Sequence, residues 1–278
     1  MTKYKIVADS AANVLQLKEI TFESVPLCVQ AGEVQYIDTP DLDVEEMINA
    51  LKTYTAKTST ACPNIYQWIK TFADADVIFV VTLTSALSGS HSAALQAKKI
   101  YQEQHPNVKI CVLDSLAAGP KMQLILEKIE ELILAGLDYA QIVEKIKVYQ
   151  QQVQLLFSLE SLTNLANNGR ISPKMAKFAQ LLKIRILGSA SQAGTLEPLG
   201  KARGEKKALT LLVEKMQEMG FKGGKVSIAH CQNQAGALKL QELILENYPT
   251  SDIELNNCRG LCSYYAEKGG LMLGFETI

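Results

Sequence analysis

Two continuous apolar runs, each leading through small polar residues towards a helical segment, constrain the fold of this chain more than any other feature. The first is Val77–Val81 and the second lies within Val108–Leu113. Strands that are apolar at every position are typical of parallel sheets, because helices cover both faces of such sheets. A further run, Lys5–Ala8, precedes them. The first half of the chain is therefore predicted to be an α/β domain with a parallel sheet.

The second half follows a different pattern. Strands are predicted at Val153–Leu159, at Lys225–His230, near 252–256 and at the end of the chain, and a hairpin is predicted from Ile184–Ser189 and Thr195–Glu197. Two strands in succession, followed by separated helix–strand units, indicate a mixed sheet and an α+β domain. We predict two domains, residues 1–152 with the parallel sheet and residues 153–278 with the mixed sheet.

Charge and composition exclude several classes of function. The chain has 28 basic and 29 acidic residues, a formal net charge of −1, whereas nucleic-acid-binding proteins usually carry a basic excess. It contains no apolar run long enough for a transmembrane helix, and its first residues do not resemble a signal peptide. The six cysteines lack the paired spacing of a zinc site. We expect a cytoplasmic protein with no metal, no disulfide framework and no nucleic-acid partner.

Small polar residues follow three of the predicted strands, where open α/β sheets bind their ligands. They are Asp9-Ser10, the segment from Thr82 to Ser90, and Asp114-Ser115. The segment Thr82–Ser90 contains hydroxyl groups and Gly89 and leads into a predicted helix. Free backbone N–H groups at a helix start favour a phosphate or a carboxylate. The alternative is a capped helix that follows a solvated loop.

Two other segments offer groups for an acidic ligand. Lys57–Pro63 is a hydroxyl-rich loop before a predicted helix, in which Thr58 or Ser59 could bind the ligand or cap the helix. A helix stop at Gly169 places Arg170 in a tight turn. The guanidinium group presents a planar fork of donors that suits a carboxylate, although a surface arginine is equally consistent with the spacing.

Catalytic groups are few. The chain has three histidines, of which His230 closes a predicted strand. Asp9, Asp114 and His230 could serve a hydrolase or another enzyme that handles a phosphorylated metabolite, if they converge on one cleft. The aspartates could instead stabilise turns. A basic segment, Lys201–Lys207, could dock a partner or form a solvated helix start.

Short motifs along nearly the whole chain resemble those of the DegV family of bacterial fatty-acid-binding proteins. The matching segments are Val7–Ser10, Thr58-Ser59, Leu83–Ser90, Leu113–Ser115, Leu159–Leu165, Asn168–Ser172 and Arg203–Ala208. Each segment is short, but their order and spacing together are specific to the family.

The resemblance implies two α/β domains with a long-chain fatty acid buried between them. It implies that the carboxylate is held by Thr58 and Ser85, within the Thr58-Ser59 loop and the loop that also carries Ser88 and Gly89, with Arg170 nearby at the pocket mouth. Asp9, Ser10, Asp114, Ser115 and His230 are secondary candidates for the site. Family members present the acid to a separate kinase and have no chemistry of their own, so the fatty acid is the expected ligand and no cofactor is expected.

The chain departs from the family pattern at three places. The first loop, usually Thr-Ser-Gln-Pro-Ser, has Thr60-Ala61-Cys62 in its last three positions, and His91 stands where an aromatic residue is usual. The region Gly260–Gly270, where relatives carry a histidine, contains none. A tyrosine there could replace the hydrogen bond of that histidine but not its charge change near neutral pH.

Overall fold

The computed structural model describes residues 2–174 and 184–277 and contains two large sheets. The first sheet has four parallel strands in the order β2-β1-β6-β7. They are β1 (Tyr4–Asp9), β2 (Thr21–Val25), β6 (Val77–Thr82) and β7 (Lys109–Asp114). Every residue of β6 is buried, as its apolar run predicts. The parallel sheet predicted for the first half is confirmed.

A small antiparallel sheet accompanies the first sheet and was not predicted. Its order is β4-β3-β5, formed by β3 (Cys28–Ala31), β4 (Val34–Ile37) and β5 (Thr58–Ala61). The apolar run Val25–Val29 predicts one strand, but its residues belong to two, because Pro26 has no N–H to donate and separates β2 from β3. The segment at Thr58 is a strand rather than the loop that we expected.

The second large sheet is mixed, as predicted, with the order β10-β9-β8-β13-β11-β12. Its pairs are antiparallel except for β11 and β12. The strands are β8 (Val153–Leu159), β9 (Arg185–Ala190), β10 (Leu196–Ala202), β11 (Lys225–His230), β12 (Asp252–Asn257) and β13 (Leu271–Glu276). The last strand of the chain thus lies inside the sheet, between β8 and β11.

The described residues also contain α-helices. They are α1 (Val44–Thr53), α2 (Ile65–Lys70), α3 (Ser90–Gln104), α4 (Pro120–Leu134), α5 (Tyr139–Gln152), α6 (Thr163–Asn167), α7 (Glu205–Glu218), α8 (Gln234–Asn247) and α9 (Gly260–Ala266). Because proline is favoured in the first turn of a helix, Pro63 predicts the start of α2. The helix begins at Ile65 instead, since Asn64 caps it through a reciprocal pair of hydrogen bonds with Gln67. Ser172 and Pro173 predict a further helix, with the serine as its cap and the proline in its first turn, and this prediction falls mainly outside the described residues.

Helix α4 packs between the two large sheets and joins them through one apolar core. Its Met122, Ile125 and Ile129 are buried with side chains from both sheets. Gly274 of β13 permits this close approach, because a Cβ there would lie 2.7 Å from the carbonyl carbon of Pro120. Helices α2 and α3 pack on the other face of the first sheet, and α7 and α8 on the other face of the second.

The first large sheet uses residues 4–114 and the second uses residues 153–276. The division of the chain into domains at residue 152 remains a prediction. Within the described ranges, no helix has the length and apolar character needed to cross a membrane.

Candidate functional site

A cavity of about 360 Å³ lies between the two large sheets. This volume lies within the range of ordinary ligand pockets, roughly 300–1,000 Å³. Its walls are mainly apolar and come from both halves of the chain, among them Leu27, Leu83, Ala117, Leu155, Phe157, Leu196 and Met272. No aspartate or glutamate is among the described residues that line it. Such a lining favours an apolar ligand and disfavours a cation.

Polar groups of the lining include a pair from distant parts of the chain. The hydroxyl groups of Thr60 on β5 and Tyr265 on α9 form a 2.7 Å hydrogen bond. The Arg170 guanidinium carbon lies 5.8 Å from the centre of the Tyr265 ring. Burial raises the pKa of Tyr265, although the Thr60 bond and the charge of Arg170 oppose the shift. The phenol is therefore a neutral hydrogen-bonding group beside a cation.

The turn after α6 places Arg170 at the cavity. Gly169 adopts a left-handed conformation, with φ of +73°, that ends the helix as its sequence predicts. The Arg170 side chain then donates to the carbonyl oxygen of Asn168 at 2.6 Å and to that of Leu87 at 3.2 Å. The second bond crosses from the turn to the segment after β6. Because the guanidinium group has five N–H donors, these two bonds leave others for a ligand.

The segment Leu83–Gly89, here called the 83–89 loop, joins β6 to α3 and forms one wall of the cavity. Five of its residues line the cavity: Leu83, Thr84, Leu87, Ser88 and Gly89. The Thr84 hydroxyl also donates to the carbonyl oxygen of Gly194 in the β9–β10 hairpin at 3.0 Å. The loop therefore contacts the second half of the chain both through this bond and through Arg170.

The residues named from the sequence divide into two groups. Ser88, Gly89 and Arg170 line the cavity, whereas Thr58, Ser59 and Ser85 are not among the lining residues. Ser59 and Ser85 are exposed. The assignment of these six residues as ligand contacts remains a prediction.

Thr58 takes part in a polar network behind the cavity. Its hydroxyl lies 2.6 Å from the phenol oxygen of Tyr264, and the side-chain amide of Asn168 donates to the same oxygen at 2.8 Å. The network joins β5, α9 and the turn that carries Arg170. Thr58 therefore supports the elements around the cavity without lining it.

Asp9 ends β1 and Asp114 ends β7, the two strands that flank β6, and neither aspartate lines the cavity. Asp9 Oδ2 accepts from the Leu83 N–H at 2.9 Å and from the Ser90 hydroxyl at 2.6 Å. Asp114 accepts from the N–H groups of Ser85 and Leu116. Through these hydrogen bonds the two aspartates stabilise the loops that follow β6 and β7.

The other secondary candidates also have local partners. The Ser10 hydroxyl accepts from the Leu27 N–H, and the Ser115 hydroxyl donates to the Ala117 carbonyl oxygen. His230 lies in the second sheet, where its Nδ1 accepts from the Asn233 N–H and burial lowers its pKa. No hydrogen bond among the described residues joins any two of Asp9, Asp114 and His230.

Burial makes Asp9 a source of pH-dependent stability. Desolvation raises its pKa from 3.8 to about 7, against the hydrogen bonds from Ser90 and Leu83. Since the folded protein holds this proton more tightly than the unfolded chain, its stabilising contribution is complete at low pH and is lost as pH rises to about 7.

We therefore expect Asp9→Asn to raise the melting temperature relative to wild type by a few degrees at about pH 8, and by less at about pH 5. Differential scanning calorimetry of the two proteins across this range measures the difference. An identical pH dependence in both proteins would contradict the raised pKa.

Sequence reasoning missed Thr60 and most of the apolar wall, because Thr60 lies in a segment that was predicted to be a loop. It named a tyrosine of Gly260–Gly270 as a replacement for the hydrogen bond of the missing histidine, but it did not identify Tyr265 as the tyrosine that lines the cavity. Among the described residues, no group of three or more His, Cys, Asp or Glu side chains is placed to hold a metal ion. The basic segment at Arg203–Lys207 lines a separate surface cleft.

Comparison with known proteins gives matches along the whole chain. A sequence model of the DegV family, described as "Uncharacterised protein, DegV family", matches residues 3–277. A DegV domain-containing protein of Streptococcus gordonii is 41% identical over 277 residues, which cover 98% of this chain and 99% of that protein.

Two solved structures are similar to this chain over their full lengths. The Fatty Acid Kinase (Fak) B3 protein of Streptococcus pneumoniae, loaded with linoleic acid, has a TM-score of 0.98 and 41% identity, and the match covers 100% of both chains. A DegV family protein of Eubacterium eligens, loaded with heptadecanoic acid, has a TM-score of 0.97 and 41% identity, covering 99% of this chain and 100% of that one.

Proposed function

The chain belongs to the DegV family, and from this membership together with the geometry of its cavity we propose that it binds a long-chain fatty acid and presents it to a separate fatty acid kinase. The observation that carries the proposal is the cavity of about 360 Å³, which combines apolar walls with Arg170 and polar groups around it. An apolar tail bound by such walls leaves water, while its acid head meets a cation.

The head group lies, in this proposal, against Arg170, Ser88 and the backbone at Gly89, the residue directly before α3. The hydroxyl groups of Thr60 and Tyr265 complete the polar surroundings. A carboxylate is favoured there because a guanidinium group and hydroxyl donors stabilise its charge. Tyr265 thus supplies a hydrogen bond in the region where relatives carry a histidine, without the charge change of an imidazole.

The tail occupies the apolar part of the cavity between the two sheets. Burial of apolar surface contributes about 0.8 kcal/mol per methylene group. Affinity should therefore increase with chain length until the cavity is full. This dependence distinguishes a fatty-acid carrier from a protein that recognises only a small carboxylate.

The protein acts as a carrier rather than an enzyme in this proposal. Asp9, Asp114 and His230, the groups that could have served an enzyme, lie outside the cavity lining, and their hydrogen bonds hold neighbouring loops and turns. A separate kinase is inferred because the similar Streptococcus pneumoniae protein is named a Fatty Acid Kinase B3 protein. We place the protein in the cytoplasm, where its free cysteines would remain reduced.

Mass spectrometry of the protein purified from a bacterial host tests the proposal. We expect an organic extract to contain a long-chain fatty acid in an amount comparable to that of the protein. After delipidation, palmitate or oleate should raise the melting temperature, since a ligand that binds only the folded state stabilises it. A protein without any acyl chain and without a thermal shift would refute the proposal.

Cys62 gives a second test because its exposed thiol lines the cavity. We expect palmitate to slow alkylation of Cys62 severalfold, since a bound head group would restrict access to the thiol. Site-resolved mass spectrometry measures the modification, with Cys28 and Cys111 as internal controls because neither lines the cavity. Equal protection of all three cysteines would indicate general stabilisation and not occupancy of the site.

A further inference from the structure

One carboxylate oxygen links the two ends of the 83–89 loop. Asp9 ends β1, the neighbour of β6 in the first sheet. Leu83, whose N–H it accepts, begins the loop, and Ser90, whose hydroxyl it accepts, begins α3 directly after the loop. Both bonds end on Oδ2, so this single atom fixes the separation between the loop ends.

The loop between these two anchors carries the groups that we assign to the ligand head. Ser88 and Gly89 lie at its end, immediately before Ser90. Leu87 lies one residue earlier, and its carbonyl oxygen accepts the hydrogen bond from Arg170. A shift of the Ser90 anchor would therefore move both the hydroxyl of Ser88 and the acceptor that orients the guanidinium group.

The protein retains this anchor at an energetic cost. Asp9 is 0% exposed, and its other oxygen, Oδ1, has no hydrogen-bond partner among the described residues. Burying a carboxylate with an unpartnered oxygen is unfavourable, and such groups in native proteins call for an explanation. One oxygen that holds both ends of a loop lining the cavity offers such an explanation.

We propose that Asp9 is a positioning residue for the fatty-acid head group, which holds the 83–89 loop at both ends and so sets where Ser88, Gly89 and Arg170 meet the carboxylate. The inference rests on the proposed function. It explains a buried group that does not line the cavity and that a carrier does not need for chemistry.

The test compares an acid with an alcohol of the same chain length in full-length delipidated protein. We expect Asp9→Ala to weaken palmitate binding at least tenfold and hexadecanol binding less than twofold, because the alcohol depends mainly on the tail cavity. Asp9→Asn keeps an acceptor oxygen and should recover most of the palmitate affinity. Ser90→Ala removes one anchor bond and should weaken palmitate binding severalfold. Isothermal titration, or competition with a fluorescent fatty acid, measures the affinity of the wild type and of each variant for both ligands.

Asp43→Asn is the matched control, because Asp43 accepts the N–H of Glu46 at the start of α1 and does not line the cavity. It should leave both affinities unchanged. Equal losses of affinity for the acid and the alcohol would show a merely structural role for Asp9 and overturn the inference. Wild-type palmitate affinity in both Asp9→Asn and Ser90→Ala would overturn it as well. If Asp9→Ala does not fold, these last two variants decide the question. Wild-type protein that binds neither ligand would instead refute the proposed function itself.

Discussion

Replacement of Arg170 by alanine should weaken palmitate binding by about ten- to a hundredfold, since hydrogen bonds to charged groups contribute roughly 1.5–3 kcal/mol. The loss should be confined to the acid, because Arg170 meets the head group and the apolar walls remain. Hexadecanol should therefore bind with nearly its wild-type affinity. Arg170→Lys keeps the charge but loses the planar fork, and we expect an intermediate affinity.

Arg203→Ala provides the control for this experiment, because Arg203 is an exposed arginine in the separate surface cleft and does not line the cavity. It should leave the affinity for palmitate unchanged. Similar losses in the Arg170 and Arg203 variants would mean that general electrostatic attraction, rather than a head-group contact, governs binding. Unchanged palmitate affinity in Arg170→Ala would place the carboxylate elsewhere.

Local patterns were sufficient to predict much of the fold. The apolar run at Val77–Val81 predicted a strand buried on both faces, and the structure confirms it as β6 at the centre of the first sheet. The helix stop at Gly169 was also predicted, because a left-handed residue is a local requirement. Such features depend on residues that are close in sequence, and they can therefore be predicted from short segments.

The polar end of the cavity depends instead on contacts between distant segments. Thr60 and Tyr265 are separated by 205 positions in the sequence, and no local pattern indicates that their hydroxyl groups meet. Strand β5 is only four residues long and carries hydroxyl side chains, so its composition resembles that of a loop. The family resemblance directed attention to Thr58 and Ser59 in the same segment, while the residues that line the cavity are Thr60, Ala61 and Cys62.

Asp9 shows a different limit. Its place at the end of a strand was predicted from the sequence, and the structure confirms it. The direction of its carboxylate could not be predicted, because the donors that it meets belong to Leu83 and Ser90 on other elements. A strand-end aspartate can face a ligand or hold a neighbouring loop, and only the tertiary structure distinguishes these outcomes.

Replacement of Phe157 by alanine should extend the range of acyl chains that bind. The Phe157 ring lies between the main cavity and a small apolar cavity behind it, and it lines both, as do Leu165 and Leu196. The ring packs closely against Gly188 on the paired strand β9, where a side chain would collide with it at the Cβ position. Without the ring, the two spaces should join and accommodate additional methylene groups.

Each methylene group that becomes buried contributes about 0.8 kcal/mol, or roughly a fourfold gain in affinity. In Phe157→Ala we therefore expect the preference for arachidate, the longer acid, over palmitate to increase by tenfold or more relative to wild type. Competition between the two acids, followed by mass spectrometry of the bound fraction, measures this ratio. Because the truncation costs stability, typically about 3–5 kcal/mol, Phe157→Leu serves as a milder variant with a smaller change in the same direction.

Leu155→Ala is the matched control, since Leu155 lines the main cavity but not the small one behind Phe157. It creates space without joining the two cavities, so it should change the preference for arachidate less than Phe157→Ala does. Equal length preferences in wild type and Phe157→Ala would mean that the tail does not reach this wall, and that other side chains limit its length.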